Sequence, residues 1–256
     1  MAMMGAILGD IAGSVYEFDP AADPFRCDLF TDRNFFTDDT VMTLATKYAL
    51  MHNESYEFIY RLFGHKYPHS GYGGMFKEWI QDSEKGPYNS FGNGAAMRIS
   101  YIADAFDDRI RMDQEVINAT SVTHDHPEGI KGALVTANCI WMAKRGANKA
   151  QIFEYASKEY GTGYEYPVTM PLNEMRRIYR WNETCQGSVP VAIRCVYEAD
   201  SFEGFLRNVI SLPCDTDTIA AIGGGIAEEL FGIKEFDDAD IIVRYLDDTL
   251  RTIALS

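Results

Sequence analysis

Apolar residues recur at helical spacing along most of the chain, and the alternation typical of β-strands does not occur. Val41, Leu44, Ala45 and Tyr48, for example, fall on one face of a helix. The pattern predicts helices over Met4 to Glu17, Val41 to Met51, Glu54 to Phe63, Met75 to Asp82, Ala95 to Ala105, Asp113 to Thr120, Glu128 to Arg145, Gln151 to Tyr160, Leu172 to Trp181, Pro190 to Ala199, Phe202 to Leu212, Ile219 to Phe231 and Asp237 to Ile253. No linker, repeat or βαβ rhythm interrupts it, so we expect an all-α fold in a single compact domain over residues 1–256.

The first predicted helix carries three glycines at intervals of four, Gly5, Gly9 and Gly13. Small residues on one face allow the backbone of another helix to approach closely, and that packing must offset the low helix propensity of glycine. Asp10 and Glu17 are seven positions apart, which also places them on one face. An acidic pair on an otherwise apolar helix is unusual for a surface. Glu17 is therefore a candidate site residue, with a solvated surface position as the alternative.

Two acidic stretches, Thr37 to Thr40 and Asp215 to Thr218, stand directly before apolar helical runs. Asp and Thr at such positions accept hydrogen bonds from the first backbone N–H groups of a helix. One such stretch is an ordinary cap, but two of similar composition indicate a shared site. Their four carboxylates would repel one another unless cations lay between them. Hard oxygen ligands suit Mg²⁺ or Mn²⁺ rather than zinc, so we predict a two-metal site built from two helix starts.

Composition narrows the classes of partner. The net charge of −15 disfavours a nucleic-acid groove. The five cysteines form no C-x-x-C pair, and the start of the chain lacks the basic region of a signal peptide, which together favour a cytoplasmic protein. No apolar run reaches the roughly 18 residues that span a membrane. We expect a monomer, because no long heptad or exposed apolar run is evident.

Two further stretches are candidates for ligand binding. Gly86 to Gly94 is rich in glycine and precedes a helix, where backbone N–H groups can bind a phosphate. Arg98 follows and could reach an anion, although a surface salt bridge is the simpler interpretation. His124 and His126 flank an aspartate in one loop, and Pro127 suits the first position of the next helix. These histidines are either substrate contacts or structural hydrogen-bonding groups.

Taken in order, these segments resemble the ADP-ribosylglycohydrolase family, the dinitrogenase-reductase-activating glycohydrolase group. The resemblance runs through the whole chain and depends on the following motifs: Gly5-Ala6-Ile7-Leu8-Gly9-Asp10, Thr37-Asp38-Asp39-Thr40, Gly92-Asn93-Gly94-Ala95-Ala96-Met97-Arg98, Thr123-His124 with Pro127-Glu128, and Asp215-Thr216-Asp217-Thr218. It implies a compact all-α fold, two Mg²⁺ or Mn²⁺ ions, and hydrolysis of the glycosidic bond between ADP-ribose and a modified acceptor.

The resemblance also implies roles for single residues. The implied metal ligands are Thr37, Asp38, Asp39, Asp215, Asp217 and Thr218. Asn93 and Gly94 resemble the phosphate and ribose cradle, and His124 matches a histidine of the adenosine or ribose region. Glu17 matches an acidic residue next to the site and, with Asp38 and Asp217, is implied in catalysis. The short loop from Asp19 to Phe36 leaves the acceptor open: arginine, serine, a nucleic-acid end and an O-acetyl group all remain candidates.

The sequence leaves three other interpretations open. A helical prenyl-diphosphate enzyme would need a D-D-x-x-D spacing, but Asp38-Asp39 is followed by Met42 and Thr43 without a third aspartate. A His-Asp phosphohydrolase would use His124 and Asp125 but needs further ligands that are matched here only by count. A family member that binds ADP-ribose without cleaving it is the serious alternative, and the complete acidic turns argue against it.

Overall fold

The computed structural model describes residues 2–256, and Met1 lies outside the described residues. Within that range the chain forms fifteen α-helices: α1 (Ala2–Gly13), α2 (Asp38–His52), α3 (Tyr56–Lys66), α4 (Gly74–Gln81), α5 (Gly94–Met97), α6 (Ser100–Ala105), α7 (Arg109–Ser121), α8 (Pro127–Lys144), α9 (Lys149–Tyr160), α10 (Leu172–Ile178), α11 (Cys185–Tyr197), α12 (Phe202–Ile210), α13 (Thr216–Phe231), α14 (Asp238–Tyr245) and α15 (Asp248–Leu255). The described residues contain no β-strand, only an isolated bridge between Gly92 and Thr184. The all-α prediction is confirmed.

Two central helices, α1 and α13, organise the core. Every residue of α1 is buried, as are the first twelve residues of α13. A helix that is apolar on all sides requires neighbours on all sides, and α2, α8, α11 and α12 supply them. Buried apolar residues from the first helix to the last belong to one cluster. The two acidic stretches therefore begin helices that lie in or against the centre of the protein.

The glycines of α1 make its contact with α13 unusually close, as their spacing predicted. A Cβ atom built on Gly9 would lie 2.2 Å from the carbonyl oxygen of Ala220, and one on Gly5 would lie 2.3 Å from that of Gly224. The approach is reciprocal, because a Cβ on Gly224 would lie 2.2 Å from the oxygen of Gly5. Only glycine permits these backbone-to-backbone contacts.

Two predicted helices are wrong because each is broken in the middle. The segment Ala95 to Ala105 divides into α5 and α6, since Arg98 and Ile99 leave helical geometry with φ near −100° and ψ near 0°. This break lets the buried Arg98 guanidinium reach the carbonyl oxygen of Ala119. The segment Asp237 to Ile253 divides at Leu246, which is extended, and Asp247 then caps α15 by accepting a hydrogen bond from the N–H of Leu250.

Helix boundaries differ from the prediction in two places that matter for the site. The first helix ends at Gly13 rather than Glu17, so helical periodicity does not place Glu17 beside Asp10. The helix predicted to start at Pro190 begins five residues earlier. Thr184 caps it by accepting a hydrogen bond from the N–H of Gly187 at 3.1 Å, and Pro190 lies inside α11. The cap therefore outweighs the local preference of proline for a helix start.

None of the helices within residues 2–256 combines the length and the apolar character that crossing a bilayer requires.

Candidate active site

The close contact of α1 and α13 brings the second acidic turn against the first helix. A Cβ on Gly13 would lie 2.5 Å from Cα of Asp217, which shows how tightly the start of α13 packs on the end of α1. Asp10 projects from the same helix one turn earlier, and it is fully buried. Glycine spacing in α1 thus determines which carboxylates become neighbours.

Asp10 holds the first acidic turn in place. Its carboxylate accepts hydrogen bonds from the backbone N–H groups of Thr37 and Thr40, each at 3.0 Å, and from the Thr37 hydroxyl at 2.7 Å. Thr37 is the N-cap of α2, and its side chain accepts from the N–H of Asp39. A buried carboxylate that accepts three donors is well satisfied. Asp10, which the site prediction omitted, is therefore the anchor of this turn.

In the second acidic turn, the N-cap aspartate does not accept the capping hydrogen bond that the sequence predicted. Asp215 is the N-cap residue of α13 but makes no side-chain capping bond. Its Oδ2 instead accepts a 2.7 Å hydrogen bond from the side-chain amide of Asn93. Asp217 accepts from the N–H of Thr218, and the Thr218 hydroxyl donates to Asp39 at 3.1 Å. The two turns are thus joined directly, as the hypothesis of a shared site requires.

The carboxylates form two overlapping groups. Ligand atoms of Asp10, Asp39 and Asp217 all lie within 4.8 Å of one another, and so do those of Glu17, Asp215 and Asp217. Asp217 belongs to both groups. Asp38 belongs to neither, although it lies on the cavity wall, and its N–H donates to the carbonyl of Ser70.

The electrostatics of this cluster favour a positive counter-charge. Burial, followed by the neighbouring carboxylates, raises the pKa of Glu17 to about 7 and that of Asp38 to about 8. Burial also raises the pKa of Asp39 and Asp217 well above the ordinary value. Oδ1 of Asp39 is buried and has no hydrogen-bond partner among the described residues. An unpartnered carboxylate oxygen within an all-oxygen donor set fits a hard divalent cation.

A glycine turn adjoins the acidic cluster. Besides donating to Asp215, the Asn93 side-chain amide donates to the hydroxyl of Ser188 at 3.0 Å, and the Asn93 N–H donates to the carbonyl of Glu183 at 2.8 Å. The bridge between Gly92 and Thr184 fixes the other side of the turn. Asn93 therefore ties the turn to the cluster through its side chain and to the start of α11 through its backbone.

His124 lies behind this turn. The nearest atom to a Cβ built on Gly94 would be Nε2 of His124, at 3.4 Å. Burial, and then the Arg98 guanidinium, lower the pKa of His124 well below its ordinary range, so the ring is neutral. His126 has a structural role, because its Nδ1 accepts from the N–H of Glu128 and caps α8. Pro127 is the first residue of that helix, as predicted.

Arg98 is neither a surface residue nor part of a surface salt bridge. It is 1% exposed, its guanidinium lies 4.4 Å from the ring centroid of Tyr60, and it donates to the Thr123 hydroxyl. The prediction of an exposed ion pair was wrong because the break between α5 and α6 turns the side chain inward.

Several of these groups line one cavity of about 790 Å³. Its wall runs from the acidic residues Glu17, Asp38, Asp215 and Asp217 through the glycine turn to His124. At its edge the exposed ring of Phe18 stacks on Trp181, with centroids 5.2 Å apart. A cavity of this size is in the range that encloses a small organic ligand.

Comparison with known proteins shows the family to which the chain belongs. A family model described as ADP-ribosylglycohydrolase matches residues 1–243. The chain belongs to the ADP-ribosylglycohydrolase family. The resemblance in the motifs is thereby confirmed, and membership supports ADP-ribose glycohydrolase activity in general terms.

Relatives of the family cover nearly the whole chain at low identity. The chain is 24% identical to ADP-ribosylhydrolase ARH3 of Mus musculus, over 95% of this chain and 89% of the relative. It is 24% identical to the Homo sapiens protein of the same name, over 93% and 86%. A putative ADP-ribosyl glycohydrolase, L543 of Acanthamoeba polyphaga mimivirus, is 22% identical over 90% and 86%.

A solved structure shares the fold. A chain described as an ADP-ribosylglycohydrolase-related protein complex matches with a TM-score of 0.70 and 19% identity, covering 99% of this chain and 95% of its own. At that identity the likeness shows the ADP-ribosylglycohydrolase-type helical fold.

Sequence reasoning missed three groups at the site. Asp10 was noted as a partner of Glu17 and as the last residue of a family motif but received no role, although its place in a Gly-rich apolar helix already marked it as a buried acid. Glu183 lies beside Glu17 on the cavity wall and contributes to the raised pKa of that residue. Thr123, buried behind His124, had no signal of its own outside the motif that contains it.

Proposed function

We propose that this protein is a divalent-cation-dependent hydrolase that releases ADP-ribose from a modified acceptor. The observation that carries the proposal is that the buried carboxylates of Asp10 and Asp39 meet that of Asp217, which lines one large cavity together with Glu17 and Asp215. A cluster of this charge without counter-ions would destabilise the fold, because buried like charges repel and lose hydration. Two Mg²⁺ or Mn²⁺ ions would balance it.

The residues that would hold the cations are those of the two turns: Thr37, Asp38, Asp39, Asp215, Asp217 and Thr218. Their donor atoms are all oxygens, which suits Mg²⁺ or Mn²⁺. When bound, cations of this kind orient sugar hydroxyls and lower the pKa of a water. Asp10 has a different part: its three accepted hydrogen bonds hold the turn at Thr37 and Thr40 in position.

Glu17 is the group we assign to proton transfer. Its carboxylate lies beside Asp215 and Asp217 on the cavity wall, where it can reach a bound water. Cleavage at C1″ of the ribose develops oxocarbenium character, as in other glycoside hydrolysis. A carboxylate at that position can stabilise this charge and take a proton from water. Contributions of this type are on the order of 10²–10⁴-fold.

We place the phosphates and the remaining ribose of ADP-ribose along the cavity wall at the glycine turn, next to Asn93. The turn at Gly92 and Gly94 has no side chains that would block a phosphate or ribose, and His124 lies directly behind it. The acceptor would leave on the side of Glu17, where Phe18, Trp181 and Glu183 form the rim. We therefore assign the ADP-ribose half to the glycine turn and the acceptor half to the rim.

The test is release of ADP-ribose from arginine-linked, serine-linked and O-acetyl-linked substrates, each with Mg²⁺, with Mn²⁺ and with a chelator. We expect release from at least one substrate, its loss with chelator and its return on adding metal. Glu17→Gln should abolish release while ADP-ribose still binds, and Glu84→Gln, an exposed charge removal, serves as the control. Tight ADP-ribose binding without release from any substrate would favour a non-catalytic binding protein instead.

A further inference from the structure

Three side chains form a hydrogen-bonded line behind the glycine turn. Nη2 of Arg98 donates to Oγ1 of Thr123 at 2.7 Å, and Oγ1 of Thr123 lies 2.7 Å from Nδ1 of His124. Arg98 and Thr123 are almost completely buried, and His124 is buried except where it faces the cavity. The line is therefore shielded from water along most of its length.

The Arg98 end of this line is fixed. The guanidinium also donates to the carbonyl of Ala119 at 3.3 Å and lies over the ring of Tyr60. The Tyr60 hydroxyl in turn pairs with the hydroxyl of Thr46 at 2.8 Å. A guanidinium held by a carbonyl, a hydroxyl and an aromatic face has one available orientation.

The fixed guanidinium of Arg98 determines which group donates in each hydrogen bond of the line. A guanidinium can only donate hydrogen bonds, so Thr123 Oγ1 is an acceptor toward Arg98. The single hydrogen of the Thr123 hydroxyl then needs an acceptor, and we assign it to Nδ1 of His124, 2.7 Å away, rather than to the Tyr88 hydroxyl, which also interacts with Thr123 but has a hydrogen of its own to donate. A neutral imidazole whose Nδ1 accepts must carry its proton on Nε2. Thr123 thus selects one of the two tautomers of His124.

The proton on Nε2 faces the ligand cavity. Nε2 is the His124 atom closest to a Cβ built on Gly92 or on Gly94, at 3.5 and 3.4 Å, and both glycines line the cavity. The structure shows no hydrogen bond from Nε2 to another described residue. Burial, and then the nearby Arg98 guanidinium, lower the pKa of His124 and keep the ring neutral. Nε2–H is therefore an available neutral donor beside the turn.

We propose that Arg98 and Thr123 are positioning residues that hold His124 as the Nε2–H tautomer, so that it donates a hydrogen bond to an oxygen of the bound ADP-ribose. The ligand in this statement rests on the proposed function. The tautomer does not, because it follows from contacts that exist in the ligand-free protein. Loss of the Thr123 hydroxyl frees the ring to protonate on either nitrogen, and the tautomer with Nδ1–H turns a lone pair toward the ligand oxygen.

The first measurement is the tautomer itself, from long-range ¹H–¹⁵N correlation spectra of the ligand-free protein labelled at histidine nitrogens. His124 is assigned by the signals that disappear in His124→Gln. We expect Nε2–H in the wild type and a mixture of tautomers in Thr123→Val. Thr120→Val is the matched control, because the Thr120 hydroxyl is also buried but has no hydrogen-bond partner among the described residues. Its spectrum should equal that of the wild type.

The second measurement is ADP-ribose affinity by calorimetry on the same variants. Thr123→Val should weaken binding by about tenfold, the usual effect of one lost hydrogen bond. Thr123→Ser restores the hydroxyl and should restore both the tautomer and the affinity. Thr120→Val should bind as the wild type does.

Different outcomes separate this inference from the proposed function. An Nδ1–H tautomer in the wild type, or an unchanged tautomer and affinity in Thr123→Val, would overturn the positioning role even if ADP-ribose release is found. An Nε2–H tautomer in a wild-type protein that binds no ADP-ribose would overturn the ligand contact together with the proposed function. Should Thr123→Val not fold, the wild-type spectrum still decides, because an Nδ1–H tautomer there overturns the positioning role.

Discussion

The hydroxyl of Thr218 donates a 3.1 Å hydrogen bond to Oδ2 of Asp39, joining residues that lie 179 positions apart in the chain. Each belongs to the first turn of a different helix, α2 or α13. The bond shows that two helix starts with similar sequences lie in direct contact. Because Asp39 keeps its other oxygen unpartnered, the contact leaves a donor atom for a cation.

The overlap of the two carboxylate groups predicts different metal losses for three variants. Asp217 belongs to both groups, whereas Asp39 and Asp215 each belong to one. We expect Asp217→Asn to lose both cations, and Asp39→Asn and Asp215→Asn to lose one each. Calorimetry with Mn²⁺ counts the ions per chain. Activity of Asp217→Asn should fall by roughly 10³-fold, as for loss of several kcal/mol of transition-state stabilisation.

The fold of these variants should survive, because each replacement preserves the shape of the side chain and removes a buried charge. Glu84→Gln removes an exposed charge and should keep both ions and full activity. Two ions bound per chain in Asp217→Asn would show that the assignment of ligands is wrong.

The raised pKa values predict how the stability of the cation-free protein depends on pH. Burial and neighbouring carboxylates raise the pKa of Glu17 from 4.5 to about 7 and that of Asp38 from 3.8 to about 8. The folded state therefore binds more protons than the unfolded state between these values. The stability that the folded protein gains by keeping these two carboxyl groups protonated is fully present below their ordinary pKa values. It is lost as pH rises toward about 8.

Denaturant unfolding with a chelator should therefore show a falling free energy of unfolding from about pH 5 to about pH 8.5. Saturating Mg²⁺ should stabilise more strongly at the higher pH, because cation binding displaces the protons. Asp217→Asn should reduce that gain. An Mg²⁺ effect of equal size at both pH values would contradict the buried-carboxylate account.

Gly9 tests the packing that assembles the site. An alanine there would place its Cβ 2.2 Å from the carbonyl oxygen of Ala220, a backbone atom that no rotamer change can move. Overpacking of this kind typically costs about 1–3 kcal/mol, and a backbone clash lies at or above the upper end. We expect Gly9→Ala to lower the free energy of unfolding by about 3 kcal/mol or more and to weaken cation binding, since α1 carries Asp10.

Gly86→Ala is the control for this variant. Nothing lies within 4 Å of a Cβ at Gly86, so its effect should stay within about 0.5 kcal/mol. Equal stabilities of the two variants in denaturant unfolding would refute the close packing of α1 on α13.

Asn93 tests the link between the glycine turn and the cation site. Its side-chain amide donates to Asp215 at 2.7 Å and to Ser188 at 3.0 Å. Hydrogen-bond partners of metal ligands typically contribute 10–100-fold to affinity, so Asn93→Ala should weaken cation binding by roughly that factor. Ser188→Ala removes only the second contact and should change affinity by less than about threefold. Both affinities are measured by calorimetry with Mn²⁺. The account is wrong if Ser188→Ala binds the cation more weakly than Asn93→Ala does.

Local sequence patterns predicted the parts of this protein that depend on near neighbours. The spacing of Gly5, Gly9 and Gly13 indicated a close helix contact, and the two acidic stretches indicated helix starts that share a site. The pattern did not show that α13 is the helix that packs on those glycines. That pairing depends on residues more than 200 positions apart, which local periodicity does not encode.

The errors share a physical cause, which is tertiary contact overriding a local preference. The helix predicted over Ala95 to Ala105 is interrupted because Arg98 reaches inward to Ala119 and Thr123. Pro190 lies within a helix because Thr184 already caps it. Asp10 was missed as the anchor of the first acidic turn, since its three donors come from residues 27 and 30 positions away.

The most direct test of the central claim is a metal titration of the chelated protein, with Mn²⁺ occupancy and ADP-ribose release measured on the same samples. The account predicts no release without metal, two ions bound per chain at saturation, and release that rises as the sites fill. Full release from protein shown to be metal-free, or metal binding that leaves release unchanged, would contradict it.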